Sequence, residues 1–317
     1  MDRNQKILVC GLYETVNRAF MRRLEREGFL NIFDTSKTFL DLVSQASVKS
    51  CFNDYKPNII IYTGSVGGGI AVNIKHPAEL LYRNTISQAN VINTAKETGI
   101  DKLIFFASSC VYPRESSQPI KEEHLLTGSL EETSAPYAIS KISGIKMCEA
   151  YNREYGTNFV AVVPATIYGP DDDFDPITAH VISALINKFH DAKEKNKDFV
   201  EIWGSGAPRR EFIFADDLVD ACIFLLDNYN EITHINVGCS RDYAISELAD
   251  IMSRVVGYKG NVKYNTNKPD GVMQKLLDSN RINSLGWIPR TTLGKGIAVT
   301  YEWFSKYEKT IAKKEST

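Results

Sequence analysis

The stretch LIFFASSC, residues 103–110, is a short apolar run that ends in two serines and a cysteine. An apolar run of this length between polar residues is typical of a strand buried on both faces of a parallel sheet. Ser108 and Cys110 would then lie at the carboxyl end of that strand, where open α/β sheets bind their ligands. The stretch therefore predicts an α/β fold and the position of its functional site.

Similar apolar runs alternate with helical patterns on both sides of this stretch. Strands are predicted for residues 6–10, 31–34, 58–62 and 158–163, and helices for 16–28, 48–55, 77–99 and 141–155. Strands that alternate with helices form a parallel sheet with helices on both faces. The predicted fold class is therefore α/β: a Rossmann-like doubly wound parallel sheet, followed by a smaller C-terminal α/β domain.

The second half of the chain shows shorter and less regular elements. Helices are predicted for residues 179–193 and 246–256, and strands for 199–203, 232–237 and 262–264. We expect residues 1–165 to form the Rossmann dinucleotide-binding domain, to which a segment near 209–240 returns. Residues 166–317 are then expected to form mainly a substrate-binding domain.

The composition is that of an ordinary globular protein. The 317 residues are 43% hydrophobic and 24% charged, and the formal net charge is −2 at pH 7. This balance gives no electrostatic reason to expect a nucleic acid or a membrane surface as a partner. The six cysteines are scattered without metal-binding spacing, and the first residues resemble neither a signal peptide nor a membrane span. We expect a cytoplasmic protein with free thiols and no metal site.

Tyr137 and Lys141 form the second chemically informative pattern. Tyr137 follows Pro136 and opens a helical pattern, so Lys141 lies one turn further along the same helix face. An ammonium beside a phenol lowers the phenol pKa, and the strand-end Ser108 can hydrogen-bond to the same oxygen. A Tyr-x-x-x-Lys pair alone is usually a solvated helix pair, but its place after a strand-end serine favours a proton relay. Such a relay suits reduction of a ketone or oxidation of an alcohol.

These residues resemble the extended branch of the short-chain dehydrogenase/reductase superfamily. Neighbouring segments resemble the GDP-L-fucose synthase family, which epimerises and reduces GDP-4-keto-6-deoxymannose. The segments that carry this resemblance are residues 108–113, 118–120, 125–128, 136–149, 168–170, 203–206, 210–212, 216–217, 268–271, 285–287 and 301–304. They are spread over nearly the whole chain, and the resemblance is weak at the N-terminus.

The resemblance implies a catalytic role for five residues. Ser108 would hydrogen-bond the C4 oxygen, Tyr137 would donate a proton to it, and Lys141 would tune the tyrosine and hold the nicotinamide ribose. Cys110 matches the base that removes the protons at C3 and C5, and His180 matches the acid that returns a proton. The alternatives are that Cys110 is a small buried hydrophobe and that His180 is a surface or helix-capping residue.

The resemblance also implies contacts to a GDP-sugar. The implied residues are Ser109, Lys188, Trp203, Arg210, Asp270 and Lys275. The planar guanidinium of Arg210 suits a diphosphate, although a salt bridge with Asp216 or Asp217 is the alternative. Trp203 could stack on guanine or fill the core.

The implied cofactor is NADP(H), with NAD(H) as the alternative. The implied contacts are Gly11, Tyr13, Glu14, Thr15, Val16, Ser36, Lys37, Thr63, Gly64, Ser65, Tyr137, Lys141, Pro164, Ile167 and His180. Ser36 and Lys37 lie where members of the family hold the 2′-phosphate. Asp34 could hold a ribose 2′-hydroxyl, which favours NAD, or cap the following turn.

The glycine-rich turn departs from the family pattern Gly-x-x-Gly-x-x-Gly. The chain keeps Gly11 but has Glu14 and Asn17 at the other two glycine positions. The middle glycine lets the backbone approach the pyrophosphate, so Glu14 adds both bulk and a like charge there. We therefore expect dinucleotide binding to be weaker than this fold normally gives.

The leading hypothesis is C3/C5 epimerisation and NAD(P)H-dependent C4 reduction of a GDP-linked 4-keto-deoxy sugar by a homodimer. One alternative is a cofactor-independent GDP-sugar epimerase, or a C4 reductase alone, with a degenerate dinucleotide turn. The other is a catalytically silent GDP-sugar-binding protein. The presence of both catalytic sets argues against the silent protein.

Overall fold

A parallel sheet lies at the centre of the fold in the computed structural model, which describes residues 1–35, 40–64, 66–67, 70–100, 102–175 and 178–315. Within these residues the sheet has six strands in the order β2-β1-β3-β4-β5-β9. The strands are β1 (Ile7–Cys10), β2 (Ile32–Asp34), β3 (Ile59–Tyr62), β4 (Lys102–Phe106), β5 (Asn158–Pro164) and β9 (Ile235–Val237). Every residue of β1 and β3 is buried, as expected of a parallel sheet with both faces covered.

Helices cover this sheet on both faces. They are α1 (Glu14–Arg26), α2 (Gln45–Tyr55), α3 (Ile70–Lys75), α4 (Pro77–Glu97), α5 (Ala135–Tyr155) and α7 (Ala215–Asn228). α1 packs against α7, whereas α4 packs against both α2 and α5. Right-handed crossovers place α1 on the face opposite to α2, α4 and α5. None of the helices in the described ranges is long and apolar enough to cross a membrane.

Most of the remaining strands and helices surround a second hydrophobic cluster, although Ile282 packs in the core of the large sheet. The strands are β6 (Thr166–Tyr168), β7 (Phe199–Trp203), β8 (Arg209–Phe214), β10 (Asp242–Ala244), β11 (Asn261–Asn265) and β12 (Gln274–Lys275). The helices are α6 (Val181–Glu194), α8 (Ile245–Val256), α9 (Asn280–Ser284) and α10 (Leu293–Glu315). β8 pairs with β6, β10 and β12, and β7 pairs with β11. Side chains of α6, α8 and α10 build the cluster together with β7 and β8.

The predicted fold class is confirmed by the six-stranded parallel sheet. Several boundaries differ from the predictions in ways that affect the site. α1 begins at Glu14 rather than at residue 16, which places Glu14 and Thr15 in its first turn. α6 begins at Val181, so His180 is its N-cap residue. The division at residue 165 stays a prediction. Beyond that residue, β9 is a strand of the large sheet and α7 packs against that sheet, whereas β8 is a strand of the smaller sheet.

Glu211 joins strand β8 to two segments that are distant in sequence. Its side chain is buried, and its carboxylate accepts backbone N–H groups of Cys239 at 2.6 Å, Ser240 at 2.8 Å and Leu277 at 2.9 Å. A Cβ atom at Gly238 would lie 2.4 Å from its Oε1, so the backbone can approach this closely only as glycine. Because a buried carboxylate needs such donors, Glu211 fixes how the smaller sheet meets β9.

Replacing Glu211 with glutamine should destabilise the fold. The amide places an NH₂ group against backbone N–H donors, and an unsatisfied buried group costs about 1–3 kcal/mol. Urea unfolding should therefore give a lower midpoint for Glu211→Gln. Glu231→Gln, in an exposed loop, is the matched control and should unfold like the native chain. Equal midpoints for all three proteins would contradict this role of Glu211.

Candidate active site

A cavity of about 780 Å³ opens at the carboxyl ends of β1, β3, β4 and β5. Its wall includes Leu12, Tyr13, Glu14, Thr15, Thr63, Gly64, Ser108, Ser109, Cys110, Tyr137, Lys141, Pro164, Ile167, Asp171, Asp172, Asp173, His180, Arg210 and Lys275. The cavity thus brings the five predicted catalytic residues together with most of the predicted cofactor contacts. Ser109, Arg210 and Lys275 of the predicted substrate set share the same wall.

Helix α5 delivers Tyr137 and Lys141 to this cavity. Pro136 occupies the first turn of α5, where the missing proline N–H costs no helical hydrogen bond. The Lys141 Nζ is buried, lies 5.7 Å from the centre of the Tyr137 ring, and donates to the carbonyl of Phe106 at 3.0 Å. The lysine is therefore held to the last residue of β4, which lies two residues before Ser108.

The expectation that Lys141 lowers the pKa of Tyr137 is wrong for this arrangement. Burial raises the pKa of Tyr137, and the neighbouring Cys110 and Tyr62 raise it further. Burial also lowers the pKa of Lys141 to about 8, against the opposing effect of Cys110. Tyr137 is consequently a protonated phenol at neutral pH, which is the form that can donate a proton to a developing alkoxide.

Ser108, Ser109 and Cys110 follow β4 as a short turn. Ser108 is extended, and its Oγ accepts the backbone N–H of Cys110 at 3.5 Å. Tyr112, the next residue but one, is buried and donates its hydroxyl to Asn236 of β9 at 2.6 Å. This bond across the sheet holds the turn at the strand end.

Cys110 lies among groups that act on its thiol in opposite directions. Burial raises the pKa of Cys110, whereas Lys275, a hydrogen bond from Ser108 and Lys141 lower it. Lys275 is on β12 in register with Arg210 of β8, and burial lowers the pKa of Lys275. Lys141 and Lys275 would therefore both stabilise a thiolate at Cys110.

Gly11 allows the turn after β1 to approach the end of β3. Its φ is +132°, and a Cβ atom there would lie 2.4 Å from both the Gly64 carbonyl and the Thr63 hydroxyl. Within the described residues, no side chain caps the first turn of α1, and Glu14 and Thr15 of that turn line the cavity. A close-packed glycine followed by an open helix N-terminus fits the diphosphate of a dinucleotide.

Asn17 has a role that the sequence pattern did not reveal. Its buried carboxamide donates to the Gly11 carbonyl at 2.9 Å and accepts the Thr63 hydroxyl at 2.7 Å. The residue at the third glycine position therefore ties the turn to the end of β3 by hydrogen bonds. Polar complementarity replaces the close helix–strand packing that a glycine permits.

Glu14 is not the unpaired charge that the sequence suggested. Its carboxylate pairs with Arg18 one turn along α1, with the Nη2–Oε1 distance at 3.2 Å, and the side chain is 61% exposed. The Arg18 Nη1 also lies 4.0 Å from Asp34 at the end of β2. The guanidinium therefore offsets part of the repulsion that Glu14 would exert on a bound diphosphate.

Three predicted substrate residues do not line the cavity. Trp203 is 65% exposed, with the Nζ atoms of Lys188 and Lys268 at 5.7 and 5.2 Å from its ring centre, so the core-filling alternative is wrong. Lys188 also lines a second, more open cavity of about 530 Å³ beside β7. Asp270 accepts the N–H and hydroxyl of Ser205 at 2.9 and 2.7 Å.

The outcomes for the remaining predicted residues are mixed. Val16 points into the core, and Ser36, Lys37 and Ser65 lie outside the described residues. The proposed salt bridges of Arg210 do not form. Asp216 pairs with Arg22, and Asp217 accepts hydrogen bonds from the backbone N–H of Arg290 and the hydroxyl of Thr291. Arg210 instead donates to the Arg209 carbonyl at 2.8 Å.

The fold and the site match known proteins over most of the chain. The model of the NAD dependent epimerase/dehydratase family matches residues 7–238, so the chain belongs to that family. GDP-L-fucose synthase 1 of Arabidopsis thaliana is 43% identical over 305 residues, covering 96% of this chain and 94% of the relative. Within the larger family, the chain is therefore a member of the GDP-L-fucose synthase family.

Two solved structures from Campylobacter jejuni are similar to this chain throughout. A GDP-D-glycero-L-gluco-heptose synthase solved in the presence of NADPH has a TM-score of 0.91 at 35% identity, covering 96% of this chain and 99% of that one. A GDP-mannoheptose C4 reductase with NADP bound has a TM-score of 0.89 at 37% identity, with the same coverage.

We predict that Arg18→Gln weakens NADPH binding and that Glu14→Gly tightens it. Without Arg18, the Glu14 carboxylate remains unpaired in the first turn of α1. At low ionic strength the affinity for NADPH should then fall about tenfold. Calorimetric titration at two salt concentrations would measure both effects, which should shrink as salt screens the charges.

The matched control is Arg23→Gln on the same helix. Arg23 also pairs with a glutamate four residues away, Glu27, at 2.6 Å, and in addition with Asp220 of α7 at 2.7 Å, two turns from the cavity. Its replacement should leave NADPH affinity unchanged. Equal affinity of native chain and Arg18→Gln at low salt would show that Glu14 does not act on the diphosphate.

Proposed function

We propose that this chain epimerises C3 and C5 and reduces C4 of a GDP-linked 4-keto-deoxy sugar, with NADPH as the reductant. The observation that carries the proposal is the shared cavity. Tyr137 and the buried Lys141 meet Cys110 and His180 there, so one bound sugar can reach both sets. GDP-L-fucose synthases are relatives of this chain along nearly its full length, which supports a GDP-sugar as the substrate class.

The reduction step uses the protonated form of Tyr137. When bound, the cofactor supplies a hydride to C4, and the C4 oxygen then gains negative charge. Tyr137 transfers its phenolic proton to that oxygen while Ser108 hydrogen-bonds to it. Lys141, held by the Phe106 carbonyl at 3.0 Å, keeps a positive charge next to the resulting phenolate.

Epimerisation uses the acidity that the C4 ketone gives to the hydrogens at C3 and C5. Cys110 as thiolate takes the proton, and the electron pair moves onto the C4 oxygen as an enolate. His180 then returns a proton to the opposite face of the same carbon and re-forms the ketone. The presence of Cys110 and His180 on the wall favours this two-step activity over a C4 reductase alone.

The GDP moiety is proposed to follow the segment from Trp203 to Lys275. Arg210 lies beside the 268–271 segment, because its Nη2 is 3.2 Å from the position that a Cβ atom would take at Gly271. Trp203, flanked by two lysines, offers an exposed ring for the guanine. Lys275 and Arg210 are neighbours in register and offer two cations to the diphosphate.

The proposed cofactor site is the opposite end of the cavity. Gly11 to Thr15 would hold the diphosphate, with Thr63 and Gly64 beside it. Tyr137 and Lys141 would contact the nicotinamide half together with Pro164, Ile167 and His180. The two Campylobacter jejuni relatives are solved with NADPH and with NADP, which supports the phosphorylated cofactor.

We also propose that the protein is a cytoplasmic homodimer. All six cysteines are free thiols, which fits a reducing compartment. Leu81 and Tyr82 on α4 and Ile139 on α5 are exposed apolar side chains on two helices that pack together. Burying them between two copies would remove apolar surface from water. Light scattering after gel filtration should give twice the chain mass, and a monomer would contradict this part of the proposal.

Tyr137→Phe should abolish reduction without affecting the fold. Loss of a general acid typically costs about a hundred- to ten-thousand-fold in rate. NADPH oxidation with GDP-4-keto-6-deoxymannose would be followed by absorbance, together with deuterium entry at C3 and C5 in D₂O. Exchange should persist because Cys110 and His180 are intact. Tyr155→Phe, on the exposed end of α5, is the control; reduction at the native rate in Tyr137→Phe would overturn the relay.

Cys110→Ser should stop deuterium entry at C3 and C5 while leaving direct reduction of the ketone in place. A hydroxyl is far harder to ionise than a thiol. Because burial raises the pKa of Cys110, exchange by the native chain should increase as pH rises and thiolate forms. Cys51→Ser on α2 is the matched control. Undiminished exchange in Cys110→Ser would assign the base to another residue.

A further inference from the structure

Asp172 joins the first turns of two helices that carry different parts of the site. It lies in the turn after β6, and its side chain faces the cavity. Its Oδ1 accepts the hydroxyl of Thr15 in α1 at 3.1 Å, and its Oδ2 accepts the hydroxyl of Ser183 in α6. Each oxygen of one carboxyl group is thus bound to a different helix.

The turn that carries Asp172 is fastened to α1 at further points. Thr15 also donates to the carbonyl of Asp171 at 3.3 Å, and the Asp171 carboxylate pairs with Arg22 at 2.6 Å. Arg22 in turn pairs with Asp216 of α7 at 3.0 Å. The turn with Asp172 is therefore held to α1 both at Thr15 and at Arg22, so a shift of the α1 turn would move Asp172.

The α6 side of the connection leads to His180. His180 is the N-cap residue of α6, and Ser183 lies three residues later, in the first turn of the same helix. Burial raises the pKa of Asp172, while the Ser183 hydrogen bond and the charge of His180 act in the opposite direction. His180 thus lies close enough to act electrostatically on the carboxyl group that holds its helix.

We propose that Asp172 is a positioning residue that links the dinucleotide turn at Thr15 to His180 at the start of α6. Binding of the cofactor at the first turn of α1 would then set the position of the proton donor. The inference rests on the proposed function, in which His180 returns the proton during epimerisation. A purely structural carboxylate would stabilise the loop without coupling the two turns.

Hydrogen exchange measured by mass spectrometry tests the link without relying on turnover. NADPH should slow amide exchange both in residues 11–16 and at the start of α6 in the native chain. In Asp172→Asn, protection of residues 11–16 should remain while protection at the start of α6 is lost. Ser183→Ala removes only the α6 side and should give the same result, which covers the case in which Asp172→Asn folds poorly. Equal protection of α6 in the native chain and both variants would overturn the link.

Asp217→Asn is the matched control. Asp217 is buried and, like Asp172, accepts a threonine hydroxyl, from Thr291 at 3.0 Å, but it lies on α7 away from the cavity wall. Its replacement should lower stability without changing the response of α6 to NADPH. Loss of the α6 response in this variant too would assign the effect to general destabilisation and overturn the link.

A second readout separates positioning from simple loss of stability. Asp172→Asn should lower the rate of inversion at C3 and C5 by about ten- to a hundredfold relative to reduction, because a misplaced donor affects only the His180 step. An equal fall in both rates would overturn the link. A native chain that binds NADPH but shows no exchange would count against the proposed epimerisation, and α6 protection would still report on the link.

Discussion

The hydrogen bond from the Lys141 ammonium to the Phe106 carbonyl sets the geometry of the whole site. A buried ammonium needs a partner, and here that partner is the last residue of the central strand β4. The lysine can reach it because α5 lies unusually close to the sheet. A Cβ at Gly144 would come within 2.2 Å of the Phe105 ring, and a Cβ at Gly64 would lie 2.9 Å from the lysine nitrogen. The missing side chains of Gly144 and Gly64 thus leave room for the Lys141 ammonium, which contacts the end of β4 from α5.

The sequence was sufficient for the fold class and for the two motifs because both depend on local order. Buried strands read as apolar runs, and Tyr137 and Lys141 share a helix face through spacing alone. The pairing of Glu14 with Arg18 follows the same four-residue spacing and could also have been read from the sequence.

Other features depend on contacts between distant segments, which no local pattern encodes. Asn17 looked like a poor substitute for glycine, yet it binds Thr63, 46 residues away. Asp172 bridges segments 157 and 11 residues away and belongs to no motif that was recognised. The pKa of Tyr137 was misjudged because the depth of burial, which dominates it, is a tertiary property. Trp203 could be assigned to the surface only once its neighbours were known.

The cations around Cys110 have a consequence for how fast a ligand is captured. Lys141, Lys275 and Arg210 line one cavity in a chain whose overall charge is slightly negative. The carboxylates of Glu14, Asp171, Asp172 and Asp173 line the same cavity, so the three cations attract an anion locally and do not make the whole recess positive. A sugar nucleotide with two phosphate charges would be drawn in with its diphosphate leading. The rate of capture would therefore fall as ionic strength rises, even where the equilibrium contacts inside the cavity stay the same.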